Sequence, residues 1–197
     1  MTPMSQKRSL LRGLGFVLLF LLAGALPLQA QNSAAAKKRV AEIRKMYADA
    51  HAAIAYADSM HADGLPREDM VVTTDIMFPG AGPTKSVIHY FYSMEWKDDY
   101  SYYDYTPYFV TRKFNIAAQE FYQEYLYDGD GKCVFFYEKR TFDTVVNEAC
   151  YYFGTSEQGG VDGVVHQIVK DEVITDTKYA QELGKRLMDA FKLMLIY

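Results

Sequence analysis

Cysteine and tryptophan are scarce in this chain, two and one among 197 residues, and basic charge is nowhere in surplus. Two cysteines cannot build a disulfide-dense scaffold or a four-thiolate metal centre. Lysine and arginine number 21 against 25 aspartates and glutamates, so nucleic acid, which demands a surplus of cations to neutralise phosphates, is excluded as a partner class. Six prolines and 13 glycines without a period exclude collagen-like and low-complexity chains. Beyond residue 30, no apolar run approaches the ~20 residues a helix needs to cross a bilayer. No HExxH and no phosphate-binding GKS or GKT occurs. What is present is half apolar and 15% aromatic, with 17 tyrosines, the composition of a globular domain.

Residues 1–30 follow a different rule from the rest. Lys7, Arg8 and Arg12 precede the charge-free stretch from Gly13 to Leu28, with Pro27 and the small Ala30 at its end. That is the pattern of a secretory signal peptide cleaved after Ala30. Its apolar stretch is 16 residues, short of a membrane span. Removing those three cations leaves 18 basic residues against 25 acidic ones, a balance of −7. The expectation is an exported acidic protein, secreted or periplasmic, with residues 31–197 forming a single α+β domain and no transmembrane span after cleavage.

Within 31–197 the hydrophobic period changes twice. Ala36, Val40, Ile43, Tyr47, Ala50, Ile54 and Ala57 recur at spacings of three and four, which predicts a long amphipathic helix capped by Asn32 or Ser33 and stopped by Asp63, Gly64 and Pro66. From 70 to 170 the period is two, and β-branched and aromatic residues predict strands at 71–78, 86–94, 108–115, 119–127, 133–140, 145–153 and 163–169. The connections are too short for crossover helices, so the strands form an antiparallel meander. Phe121/Tyr125 and Tyr122/Leu126 also fit a helical spacing, but aromatic density favours strand there. Asp128-Gly129-Asp130-Gly131 is a turn, because Asp and Gly tolerate positive φ. After the cap Asp176, Ala180, Leu183, Leu187, Ala190, Phe191 and Met194 define a second helix packed on the sheet.

Few residues suggest chemistry. Cys133 and Cys150 fall on adjacent strands, and a turn at Thr141 and Phe142 would set them opposite each other, within disulfide range in an oxidising compartment. The competing arrangement is two buried thiols, since a register shift of one residue sends them to opposite faces. His51, His61, His89 and His166 lack metal-site spacing, and the Asp128 loop departs from a calcium loop at Cys133 and Lys139. No cofactor motif is present. The unusual feature is aromatic density beside acids: Tyr90, Tyr92, Trp96, Tyr100, Tyr102, Tyr103, Tyr105 and Tyr108, with Asp98, Asp99 and Asp104. Tyrosine offers flat apolar area and a hydrogen-bonding end, which suits ligand recognition, although half-buried tyrosine is ordinary in a sheet.

The segment KFNIAAQEFYQEYLYDGDGKCVFF, beginning at Lys113, together with the leader and the first helix, resembles uncharacterised secreted proteins of gut Bacteroidales. The resemblance implies envelope location and an α+β fold, and no activity. The sequence therefore points to an exported, non-enzymatic domain that binds a glycan, a peptide or an envelope protein through Tyr90, Tyr92, Trp96, Tyr102, Tyr103 and Tyr105. Two alternatives stand beside it: an envelope hydrolase using Glu120, Glu124 and His89, and a secreted inhibitor of a foreign hydrolase.

Overall fold

The computed structural model describes residues 33–98, 102–158, 160, 163–170 and 176–195. The segment read as a signal peptide, with its cleavage point after Ala30, lies outside these residues. Helix α1 (Ala34–Ala62) leads into seven strands: β1 (Asp69–Phe78), β2 (Gly82–Lys97), β3 (Tyr102–Ile116), β4 (Gln119–Tyr127), β5 (Cys133–Phe142), β6 (Val145–Phe153) and β7 (Val164–Lys170). Helix α2 (Thr177–Met194) follows. The strands lie side by side in chain order, each antiparallel to the next, as hairpin connections require. The segment with competing helical spacing, β4, is a strand across its whole expected span.

Both helices start at side-chain caps. Ser33 accepts a bond from the Ala36 amide, and Asp176 accepts from Lys178 and Tyr179, filling donors that a first helical turn leaves free. At the Asp128 turn, one carboxylate oxygen accepts from the amides of both Asp130 and Lys132, and Gly131 takes φ 74°.

The helices cover opposite faces of the sheet. Ala36, Ile43, Tyr47 and Ala50 of α1 pack with Phe91, Phe109, Leu126, Phe135, Cys150 and Tyr152. Ala180, Leu187, Met188 and Phe191 of α2 pack with Tyr90, Val110, Tyr125, Tyr127, Phe136 and Tyr151. A sheet solvated on one side buries alternate residues, whereas one covered on both sides buries consecutive ones. The runs Tyr125-Leu126-Tyr127, Val134-Phe135-Phe136 and Ala149 to Phe153 are buried for that reason. Where α2 crosses the sheet it comes very close: a Cβ on Gly184 would lie 2.8 Å from the Cβ of Cys133. Tyr127 fastens the contact by donating to the Gly184 carbonyl at 2.8 Å.

The expected disulfide is corrected by the register. Cys150 stands opposite Tyr137, four residues along β5 from Cys133, or about 13 Å at ~3.3 Å per residue. A bulge adds to the mismatch, since Leu126 pairs with Phe135 but Tyr127 pairs with Cys133. The extra residue, Val134, turns to α1 beside Phe135, and Cys133 turns to α2. Cys150 faces α1, so the two thiols are free and on opposite sides of the sheet. The hairpin also turns later than expected, at Asp143 and Thr144, after the Phe142–Val145 pair.

Among the described residues, no helix is long and apolar enough to cross a membrane.

Candidate functional site

Strands β2 and β3 are the longest in the sheet, and their paired ends run on to Lys97 and Tyr102. Tyr92, Met94 and Trp96 alternate with Ser93 and Glu95, so all three share the α2 face with Tyr90. A bulge at Tyr108 of β3, skipped between the pairs Phe91–Phe109 and Tyr92–Pro107, resets the pairing so that Met94 faces Tyr105 and Trp96 faces Tyr103. The result is a ladder of rings. Phe191 of α2 touches Tyr90 and Tyr92, with centroids 5.3 and 5.6 Å away. Tyr92 meets Tyr105 edge-on at 5.6 Å, Tyr105 lies 6.5 Å from Tyr103, and Tyr103 meets Trp96 edge-on at 5.0 Å.

Exposure rises along the ladder from its helix-covered end. Tyr90 is buried, Tyr92 and Tyr105 are half-buried, and Trp96 and Tyr103 are 47% and 50% exposed, with Met94 exposed beside them. Of the six aromatic residues singled out in the sequence, the fold thus places Tyr90 in the core, Tyr92 and Tyr105 at its margin, and Trp96 and Tyr103 on the surface. The side chain of Tyr102 lies outside those described, as do residues 99–101. Glu95 and Lys97 form an ion pair at 2.6 Å on the opposite side of the same strand.

The carboxylates considered for acid–base work do not converge. Glu124 is buried under α1, where Tyr47 and Tyr122 each donate to it at 2.7 Å. Burial pushes its carboxyl up from the ordinary range, and the two phenol bonds partly offset that shift. The same burial, with the carboxylate beside them, drives the Tyr47 and Tyr122 hydroxyls far above their usual value. Glu120 is exposed four residues away on the same strand, about 13 Å by strand rise. His89 is separated from Glu124 by the whole width of β3, about 10 Å. It bonds Asp69 instead, at 2.6 Å, and Asp69 also receives Arg67 at 2.8 Å. General acid–base work needs two groups at hydrogen-bond reach of one substrate, and this trio offers none.

Sequence reading missed two polar constellations. One is the Asp69, His89 and Arg67 cluster, which joins Asp69 to a histidine 20 positions away through the β1–β2 hairpin. The other lies on the α2 face: Tyr125 donates to Gln123, Gln123 donates to Glu138, and Arg140 pairs with Glu138 at 3.0 Å. A signal for the second existed. Gln123 interrupts the alternation Phe121, Tyr125, Tyr127 at an inward position, and a buried amide requires partners. Among the described residues, no three His, Cys, Asp or Glu side chains form a group able to hold a metal ion.

Comparison with protein families, curated proteins and solved structures finds no match for this chain.

Proposed function

We propose that this chain is an exported, non-enzymatic binding domain that takes a glycan, a peptide or an envelope protein on the tip of its β2–β3 hairpin, with Trp96 and Tyr103 as the anchors. The observation that carries this reading is the exposed Trp96–Tyr103 cross-strand pair at the open end of a ring ladder rooted in the core. Large aromatic side chains held in place by their neighbours lose little freedom when a ligand covers them, and binding energy concentrates on such residues. The ladder supplies that rigidity, because each ring is braced by the next down to Phe191.

Trp96 is the only tryptophan in the chain, so its fluorescence reports on the proposed site alone. Glycan and peptide arrays probed with the purified protein supply the ligand, and titration then follows the emission. The expected result is a saturable change in emission, with Trp96→Ala and Tyr103→Ala each weakening array binding by more than ~1 kcal/mol. A ligand whose affinity ignores both substitutions would remove the hairpin from the function.

A further inference from the structure

We infer that β1 is a self-pairing edge, and that two copies of this chain join through it into one continuous fourteen-stranded antiparallel sheet with Thr74 on the two-fold axis. This rests on β1 alone and is independent of the hairpin reading. β1 is an outermost strand of the sheet, so one side of its backbone has no strand partner among the described residues. Edges of this kind are normally blunted by charged side chains, lysine above all, or by proline, a bulge or short length. β1, with the sequence DMVVTTDIMF, has no lysine, proline or bulge, and all ten residues pair with β2 in an unbroken register. Its two charges are Asp69, bonded to His89 and Arg67, and Asp75, which stands opposite Lys85. The other edge differs, since β7 has seven residues, carries a bulge at Val165 and ends in Lys170.

The side chains select the register. An antiparallel pair of identical edges related by a two-fold perpendicular to the sheet keeps each face on its own side, so the numbers of facing residues must add to an even value. Centred on Thr74, Val71 faces Met77 of the second copy on the α1 side, and Val72 faces Ile76 on the α2 side. Val71, Met77 and Ile76 are 56%, 71% and 42% exposed, apolar side chains left in water that this pairing covers. Asp75 faces Thr73, and Lys85, its partner across the β1–β2 ladder, supplies a cation on each side. The neighbouring registers either oppose like charges or set an acid against an apolar side chain. Centring on Asp75 sets that acid against its own copy, centring on Val72 sets Asp69 against Asp75, and centring on Thr73 sets Asp75 against Val71. Like charges directly opposed on a sheet are destabilising. The nine-residue overlap of 70–78 closes about eight to ten backbone hydrogen bonds across the dyad.

The two-fold position makes the proposal testable with one substitution. Facing residues in an antiparallel pair have Cα atoms about 4.5 to 5.5 Å apart, within disulfide range. Thr74→Cys should therefore give a covalent dimer on mild oxidation, and mass spectrometry should identify two identical peptides joined through position 74. Val71→Cys mixed with Met77→Cys should cross-link each other and neither itself. Sedimentation of the unmodified protein from about 1 to about 200 μM should show a monomer–dimer equilibrium, with Val71→Lys raising the dissociation constant at least about tenfold. A protein that stays monomeric throughout overturns the inference. So does a dimer indifferent to Val71→Lys, or cross-linking of Asp75→Cys in place of Thr74→Cys. Circular dichroism of each variant separates these outcomes from misfolding, and Met77→Lys repeats the test from the other side of the pair should Val71→Lys fail to fold.

Discussion

Cys133 and Cys150 sit on the two strands of one hairpin and look away from each other, the first toward α2 and the second toward α1. Burial pushes both thiols up to about 12, so neither presents a thiolate at neutral pH. Thiol-specific reagents should therefore label both cysteines slowly in the native protein and fully after denaturation. Mass mapping without reductant should return no 133–150 linkage.

Gly184 is required by the contact between α2 and β5. Alanine in place of a mid-helix glycine ordinarily stabilises a helix by ~1 kcal/mol, but here the added methyl meets the Cys133 side chain. Gly184→Ala should instead destabilise the protein by about 1 to 3 kcal/mol, the range for overpacking. Denaturant unfolding measures it.

Ile43 and Leu187 report on opposite faces of the sheet. Each is buried on its helix, and each truncation to alanine should cost about 2 to 5 kcal/mol. Because the sheet separates the two sites, the double variant should lose the sum of the single losses to within about 0.5 kcal/mol. Strong non-additivity would mean that the helices share a core.

Two kinds of buried group tilt stability with pH in opposite senses. The carboxyl of Glu124 is raised in the folded state from its ordinary 4.5 by burial, so its contribution is full below 4.5 and is lost as pH rises through the folded value. His51 and His166 are lowered from 6.5 by burial, and Arg44 lowers His166 further. Their contribution is full above 6.5 and is lost as pH falls through their folded values. Between these limits the two effects oppose. Glu124→Gln removes only the first, so unfolding midpoints measured across pH 4.5 to 6.5 should rise more steeply with pH in the variant than in the parent.

The ring ladder predicts a graded response. Tyr90→Ala should cost roughly 3 to 5 kcal/mol, as for other large buried aromatics, whereas Trp96→Ala and Tyr103→Ala should stay near ~1 kcal/mol or below. Thermal midpoints of the three variants decide whether the hairpin tip is free to serve as a surface.

Much of the architecture follows from local pattern. Spacings of three and four place Ile43, Tyr47 and Leu187 on buried helix faces, and short polar side chains mark Ser33 and Asp176 as caps. Alternation and turn residues delimit β4 and β6 to the residue. These features depend on contacts within a few positions, which is why the amino-acid order alone determines them.

The tertiary structure decided what depends on distant partners. Periodicity says that a strand has two faces but not whether one helix or two will cover them, and only packing shows α1 and α2 on opposite sides. A bulge reverses every side chain beyond it, and nothing in the local pattern around Val134 announces one, so the direction of Cys133 was settled only by pairing with Tyr127. In the same way, Glu124 became a buried acid because Tyr47, 77 positions earlier, reaches it from α1. Side-chain direction in a sheet is inherited from register, and register is a relation between segments that no single segment contains.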